Sequence, residues 1–301
     1  MVLAHLAAGD VPLVLDWNLD PVIIAGLALF VGAYFYALGP LRRRHGWAER
    51  VNPWQVTAFV TGTIVFALAL MSPLDALSDT YLFSAHMVQH MLIAVVAPPL
   101  WIIGTPGWML APLFRRRPVV RVARALTYPV VAFTLFNGDL WLWHVPALYD
   151  ATLENDTVHV IEHLTFVATA VLFWWVVLSP LAQVPRVGRG TAILYLFAAC
   201  QPMVALGALL TFATTPFYAP YVTAPRIWGS TPVGDQQLGG LIMWMPTNIP
   251  YLIFLSVAFF EWVGIHDRQE RAEAGEFDEP YEQPPLAAEP DAHAAAETHA
   301  G

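Results

Sequence analysis

The chain has 301 residues, 57% of them hydrophobic and only 12% charged, with a positive mean hydropathy. Soluble domains are about one-quarter charged, so this composition excludes an ordinary water-soluble globule. The net charge of −9 comes almost wholly from Asp267–Gly301, an Ala-, Glu- and Pro-rich stretch that cannot bury a core and is expected to be a disordered soluble tail. All basic side chains are arginines, scattered between apolar segments with no aromatic platform beside them, so nucleic-acid binding is not expected. The lone Cys200 excludes an intrachain disulfide.

In chain order, the N-terminal MVLAHLAAGDVPLVLDW lacks a basic n-region and an apolar run of adequate length, so no cleaved signal peptide is expected. Crossing the hydrocarbon takes about 20 mainly apolar residues. That length predicts seven spans: Asp20–Gly39, Pro53–Met71, Tyr81–Gly104, Leu126–Val145, Thr157–Leu178, Gly190–Ala213 and Leu238–Gly264. The expected fold is therefore all-α, a polytopic bundle of seven transmembrane helices. Residues 1–19 precede a membrane domain over 20–264, and 265–301 form the acidic tail.

Arginine placement predicts the orientation. Arg42, Arg43, Arg44 and Arg50 follow span one, and Arg115, Arg116, Arg117, Arg121 and Arg124 follow span three. Arg186 and Arg189 follow span five, while Arg268 and Arg271 follow span seven. Only Arg226 falls on the other face. The positive-inside rule then puts the N-terminus outside and the C-terminus in the cytoplasm.

With directions assigned, depth follows from a rise of about 1.5 Å per residue. His86 and His90 of span three lie roughly 8 and 14 Å below the outer boundary, and His159 and His163 of span five about 3 and 9 Å below it. His144 ends span four at the outer rim, with Asp139 roughly 8 Å beneath. Residues i and i+4 share a helix face, so His86/His90 and His159/His163 form two pairs, with Glu162 in the second stripe. Ionisable groups inside a span face a bundle interior or a cavity.

Two pairs at overlapping depth point to a metal site, with His86, His90, His163, His159 and His144 as candidate ligands. Asp139 and Glu162 are candidates to orient them through the second ring nitrogen. Imidazole with soft thioether favours copper over magnesium or calcium. Met87 and Met91 flank the span-three histidines, Met243 and Met245 lie in the outer part of span seven, Met71 lies at the outer end of span two, and Cys200 and Met203 lie near the middle of span six, though methionine most often fills gaps in packing. Haem is the alternative cofactor, held by histidines of spans three and five in a b-type cytochrome serving electron transfer or quinone reduction. Residues four apart rise only about 6 Å, which suits one compact ion better than two stacked macrocycles. No nucleophile elbow, P-loop or HExxH occurs, so no catalytic role and no small-molecule substrate are expected. The Pro-rich segment Thr214–Gln237 is expected to cover the pocket, and Pro98 and Pro99 to kink span three below it.

The stretches HMVQHMLIAVVAPPLWIIGTP, LWLWHVPALYD, VIEHLTFVATAVLFWW and DQQLGGLIMWMP, spread over Pro21 to Gly264, resemble the multi-span CtaG family of caa3-type cytochrome c oxidase assembly factors. The resemblance implies a non-enzymatic protein of the bacterial plasma membrane. Its role would be to bind copper on the outer side and deliver it to a cytochrome c oxidase subunit. His86 and His90 match the span-three motif, His144 the LWHxP motif and His163 the EH motif; His159 lies one turn before that motif.

Overall fold

The computed structural model describes residues 16–48 and 50–273. The expected segment before Asp16 and the acidic stretch after Glu273 lie outside the described residues. Two compact units divide the chain, Met1–Phe259 and Phe260–Gly301. The second is described only through Glu273 and is helical there, with the Trp262 ring 4.5 Å from His266.

Among the described residues every regular element is a helix. Six helical stretches are long and apolar enough to cross a membrane: Pro21–His45, Pro53–Met71, Phe83–Gly104, Asp156–Leu178, Arg189–Phe212 and Pro232–Arg271. They are spans one, two, three, five, six and seven. A bent pair, Arg117–Leu126 and Pro129–Trp143, makes a seventh crossing if counted as one. Three of them start where a short polar side chain caps the helix and proline occupies the first turn, where its missing N–H costs nothing. Asp20 accepts from Val22 N, Asn52 from Trp54 N, and Thr231 from Gly234 N. Asn155 does the same for span five without a proline, accepting from the amides of Thr157 and Val158.

Span four departs from the straight helix expected over Leu126–Val145. Tyr128 precedes Pro129 and takes an extended conformation, φ −61° and ψ 130°, as a residue before proline does. The axis consequently turns by 60°. The arm Arg117–Leu126 carries Arg117, Arg121 and Arg124 at helical spacing on one face. Val119, Val122 and Leu126 are exposed on another, the pattern of a helix lying in a membrane interface. Span seven also differs. Its first helix, Pro232–Trp244, begins six residues before the expected Leu238, and the residues around Pro246 interrupt it before Asn248–Glu273.

Span three is the most enclosed, with 67% of its apolar window buried against 6% for span one. It breaks its α-helical pattern where proline was expected to disturb it. Residues Leu92–Val96 form a π-helical turn, closed by the Ala97 amide reaching the Leu92 carbonyl five residues back. Pro98 has no N–H for the Ala94 carbonyl, and the Trp174 indole supplies one instead at 3.4 Å. The freed carbonyl is thus satisfied by a neighbouring helix, as it must be where no water is available.

The start of span three has no cap of its own, since the Leu82 side chain cannot accept a hydrogen bond. Asp235, in the first turn of span seven, fills that role. Its carboxylate accepts the Phe83 amide at 2.7 Å and the Ser84 amide at 3.2 Å. The charge also sits at the positive end of the helix dipole. The next residues of the same DQQLGG stretch are equally committed. Gln236 accepts from the Phe217 amide at 2.6 Å and donates to the Thr215 carbonyl, and Gln237 donates to the Ala213 carbonyl at 2.9 Å. These bonds fasten the Pro-rich segment to span seven. Gly240 then meets Gly207 of span six so closely that a Cβ on Gly240 would lie 2.7 Å from the Thr211 amide nitrogen.

Asp235→Ala should lower stability by about 1–3 kcal/mol through two uncapped buried amides, read as a lower thermal midpoint in detergent and faster exchange of the Phe83 and Ser84 amides. Gly240→Leu should separate spans six and seven and cost about 1–3 kcal/mol by overpacking; an unchanged thermal midpoint would contradict the close crossing.

Candidate metal centre

The two histidine pairs converge. One ligand atom each from His86, His90, Glu162 and His163 lies within 4.8 Å of the others. Bonds of about 2 Å to a tetrahedral ion put ligand atoms roughly 3–4 Å apart, so small side-chain shifts close this set on one ion. Ring centroids stand 5.5 Å apart for His86/His159 and 5.4 Å for His90/His163. Glu162 is fully buried, 3.8 Å from His90 Nε2 and 4.0 Å from His86 Nε2. Neither of its oxygens has a hydrogen bond of good geometry. The neighbouring Thr152 hydroxyl donates to the Tyr149 carbonyl at 2.7 Å instead. A buried carboxyl group facing imidazoles, with only the Thr152 hydroxyl beside it as a donor, is an arrangement that a cation would satisfy.

A hydrogen-bond relay sets the tautomers. Tyr221 lies on the short helix Ala219–Thr223 within the Pro-rich segment. Its hydroxyl donates to the Ser78 carbonyl at 2.6 Å, so its oxygen can only accept from His86 Nδ1, 3.1 Å away. His86 Nε2 therefore carries a bare lone pair. It faces His90 Nε2 at 2.7 Å, and His90 must be the donor there. Tyr149 stands 3.4 Å from the Tyr221 hydroxyl and adds a second donor to it. Burial pushes both phenols well above their ordinary value, so both remain donors. Arg226 holds the short helix by donating to the Tyr221 and Val222 carbonyls.

The second pair is arranged alike. His159 Nε2 lies 3.1 Å from His163 Nε2, and His159 Nδ1 faces Asp79 Oδ2 at 3.6 Å. Asp79, His86 and His159 form a second group of converging ligand atoms that shares His86 with the first. Asp79 thereby takes the orienting position that sequence reasoning assigned to Asp139 and Glu162. Asp139 instead accepts from Thr169 at 3.1 Å and from the Trp143 indole at 3.0 Å, joining spans four and five. Glu162 lies among the imidazoles themselves. His144 falls outside both converging groups; its Nδ1 donates to the Leu140 carbonyl at 2.7 Å.

Asp79, Ser78, Tyr149 and Tyr221 were missed by spacing arguments. Asp79 had one available signal, an acidic residue directly before a histidine-bearing span. The tyrosines had none, since their positions depend on how the segment around them folds back. A cleft of about 370 Å³, lined by apolar residues of spans one, two and five, reaches His159, His163 and Asp79.

No solved structure matches the chain. Uncharacterised proteins of Mycobacterium bovis and Mycobacterium tuberculosis are each 27% identical to it over 87% of its length, and one of Mycobacterium leprae is 24% identical over 82%. The chain spans about two-fifths of the length of these relatives: 41% of the first two and 39% of the third. The family described as cytochrome c oxidase caa3 assembly factor matches residues 32–264. That match takes in spans two to six complete, both histidine pairs, His144 and the Asp235 cap, and the chain belongs to this assembly-factor family.

Proposed function

We propose that the protein carries copper at the His86, His90, His163 and Glu162 centre, with His159 as a further ligand, and passes it to a cytochrome c oxidase subunit during assembly. The observation that carries this reading is the convergence of three imidazoles and an unpartnered buried carboxylate on one point. Imidazole with one carboxylate suits copper among the metals an oxidase requires. His86 presents a lone pair fixed by Tyr221, and the proton shared within each pair shifts to the Nδ1 of the donating ring as the ion takes its Nε2. The protein acts as a carrier and not as an enzyme.

The arginine distribution supports a bacterial plasma-membrane protein with its N-terminus outside, which puts the centre toward the outer face. The cleft between spans one, two and five offers an approach from within the membrane plane to His159 and His163, where a subunit still being assembled would meet the ion. Compactness favours copper over haem: Nε2 atoms pair at 2.7 and 3.1 Å, converging on a point and not flanking a macrocycle.

Purified protein should retain copper, lose it in the His86→Ala/His90→Ala double variant, and show no Soret band in a reduced-minus-oxidised spectrum. Copper retained by the double variant would overturn the site, and a haem spectrum would overturn the cargo. Tyr221→Phe removes the acceptor that fixes the His86 tautomer but keeps the ring. It should weaken copper binding about 10–100-fold, measured by chelator competition, and lower the thermal midpoint because the Ser78 carbonyl loses its donor.

A further inference from the structure

A small cavity, about 30 Å³, is lined by His90, His144, Met87, Met91, Met203 and Met243, with Thr247 and apolar residues completing its wall. It is large enough for one ion or one water and too small for an organic ligand. Two of its lining atoms are anomalous. His90 is 7% exposed and His144 6%, and His90 Nδ1 and His144 Nε2 are both buried without a hydrogen-bond partner. The hydrogen-bond geometry makes both of them lone pairs. His144 uses its Nδ1 proton on the Leu140 carbonyl, which leaves Nε2 bare. His90 gives its Nε2 proton to His86, which leaves Nδ1 bare. The Thr247 hydroxyl on the wall is committed to the Ile242 carbonyl at 2.8 Å, so two imidazole lone pairs among thioethers call for a cation or a donor to enter.

The donor set selects the cation. Two neutral imidazoles with thioethers and no carboxylate are soft ligands that suit Cu(I) and its analogue Ag(I) and disfavour hard divalent ions. Met203 and Met243 are 4% and 5% exposed, whereas Met245, two residues from Met243, is 63% exposed and turned away. We infer that this cavity is a second, monovalent-copper site, formed by His90 Nδ1, His144 Nε2 and methionine sulfur, back to back with the histidine–carboxylate centre across the His90 ring.

The two sites compete for one residue. An ion held through His90 Nε2 leaves the proton of the neutral ring on Nδ1, and an ion held through Nδ1 returns it to Nε2. The ring therefore serves one site at a time, and an ion can change sides by ligand exchange with no change in oxidation state. The inference shares its cargo with the proposed function but only His90 with its residues, so different variants test the two.

The test is X-ray absorption on the purified full-length protein loaded anaerobically with one equivalent of Cu(I). Sulfur should appear in the copper coordination shell, and selenium should replace it in protein grown with selenomethionine, which requires no substitution at all. Met203→Leu/Met243→Leu, a volume-conserving change, should remove the sulfur and weaken Cu(I) binding by about tenfold or more. Glu162→Gln/His163→Gln should leave the sulfur shell in place while removing copper from the other centre. A shell of nitrogen and oxygen alone in the wild type, with no selenium scattering, would mean that the cavity holds only water and would overturn the site. Sulfur that persists in the Met203→Leu/Met243→Leu variant would overturn the assignment of these residues. If copper is unchanged by Glu162→Gln/His163→Gln while sulfur is present, the histidine–carboxylate reading fails and the thioether site stands.

Discussion

The grip of Asp235 on the first amides of span three orders the rest of the molecule. A helix that begins among buried residues needs acceptors for its free N–H groups, and here the acceptor comes from 152 residues further along the chain. That bond fixes where span three begins, hence the angular position of His86 one turn below and His90 two turns below. It also ties the start of span seven to the same level, which brings Met243 beneath the histidines. The same stretch supplies Gln236 and Gln237 to fasten the Pro-rich segment, and that segment delivers Tyr221 to His86. Helix register, cover and ligand orientation are thus linked through one short run of sequence.

Where water is scarce, polar side chains must satisfy each other. At the histidine end the solution is a set of short relays. Asn18 donates to Asp75 at 2.7 Å, Gln89 donates to Asp75 at 2.8 Å and to the Ala69 carbonyl at 3.0 Å, and Ser78, Tyr221, His86 and His90 follow in line. Such a network leaves little freedom in the rings it holds. The groups it leaves over are therefore informative: the Glu162 oxygens on one side of His90, and two imidazole nitrogens among methionines on the other. Both leftovers are buried polar atoms without hydrogen bonds, on residues that meet at the His90 ring.

The length of apolar runs and the i, i+4 spacing were enough to place the spans and to bring His86, His90, His159 and His163 together, because both signals are local and periodic. The depth estimate put His144 in the same group; it lies outside both converging sets and shares a small cavity with His90 instead, since depth says nothing about azimuth around a bundle. Asp139 illustrates the same gap, its carboxylate facing the Thr169 and Trp143 donors instead of a ring. The bend before Pro129 was legible in the residue that precedes it, but the hydropathy of the run hid it. Tyr221 lies 135 residues from His86 and 143 from Ser78. No periodicity connects such positions, and only the folded segment reveals them.

The brevity of the helix Pro129–Trp143 has a consequence for the lipid around it. Its 15 residues extend only about 22 Å, against a hydrocarbon layer of roughly 30 Å. A segment that short is accommodated by local thinning of the bilayer or by drawing its flanks inward, and its basic arm is bound to the interface at one end. The hydrophobic mismatch is therefore taken up along a seam that ends at His144.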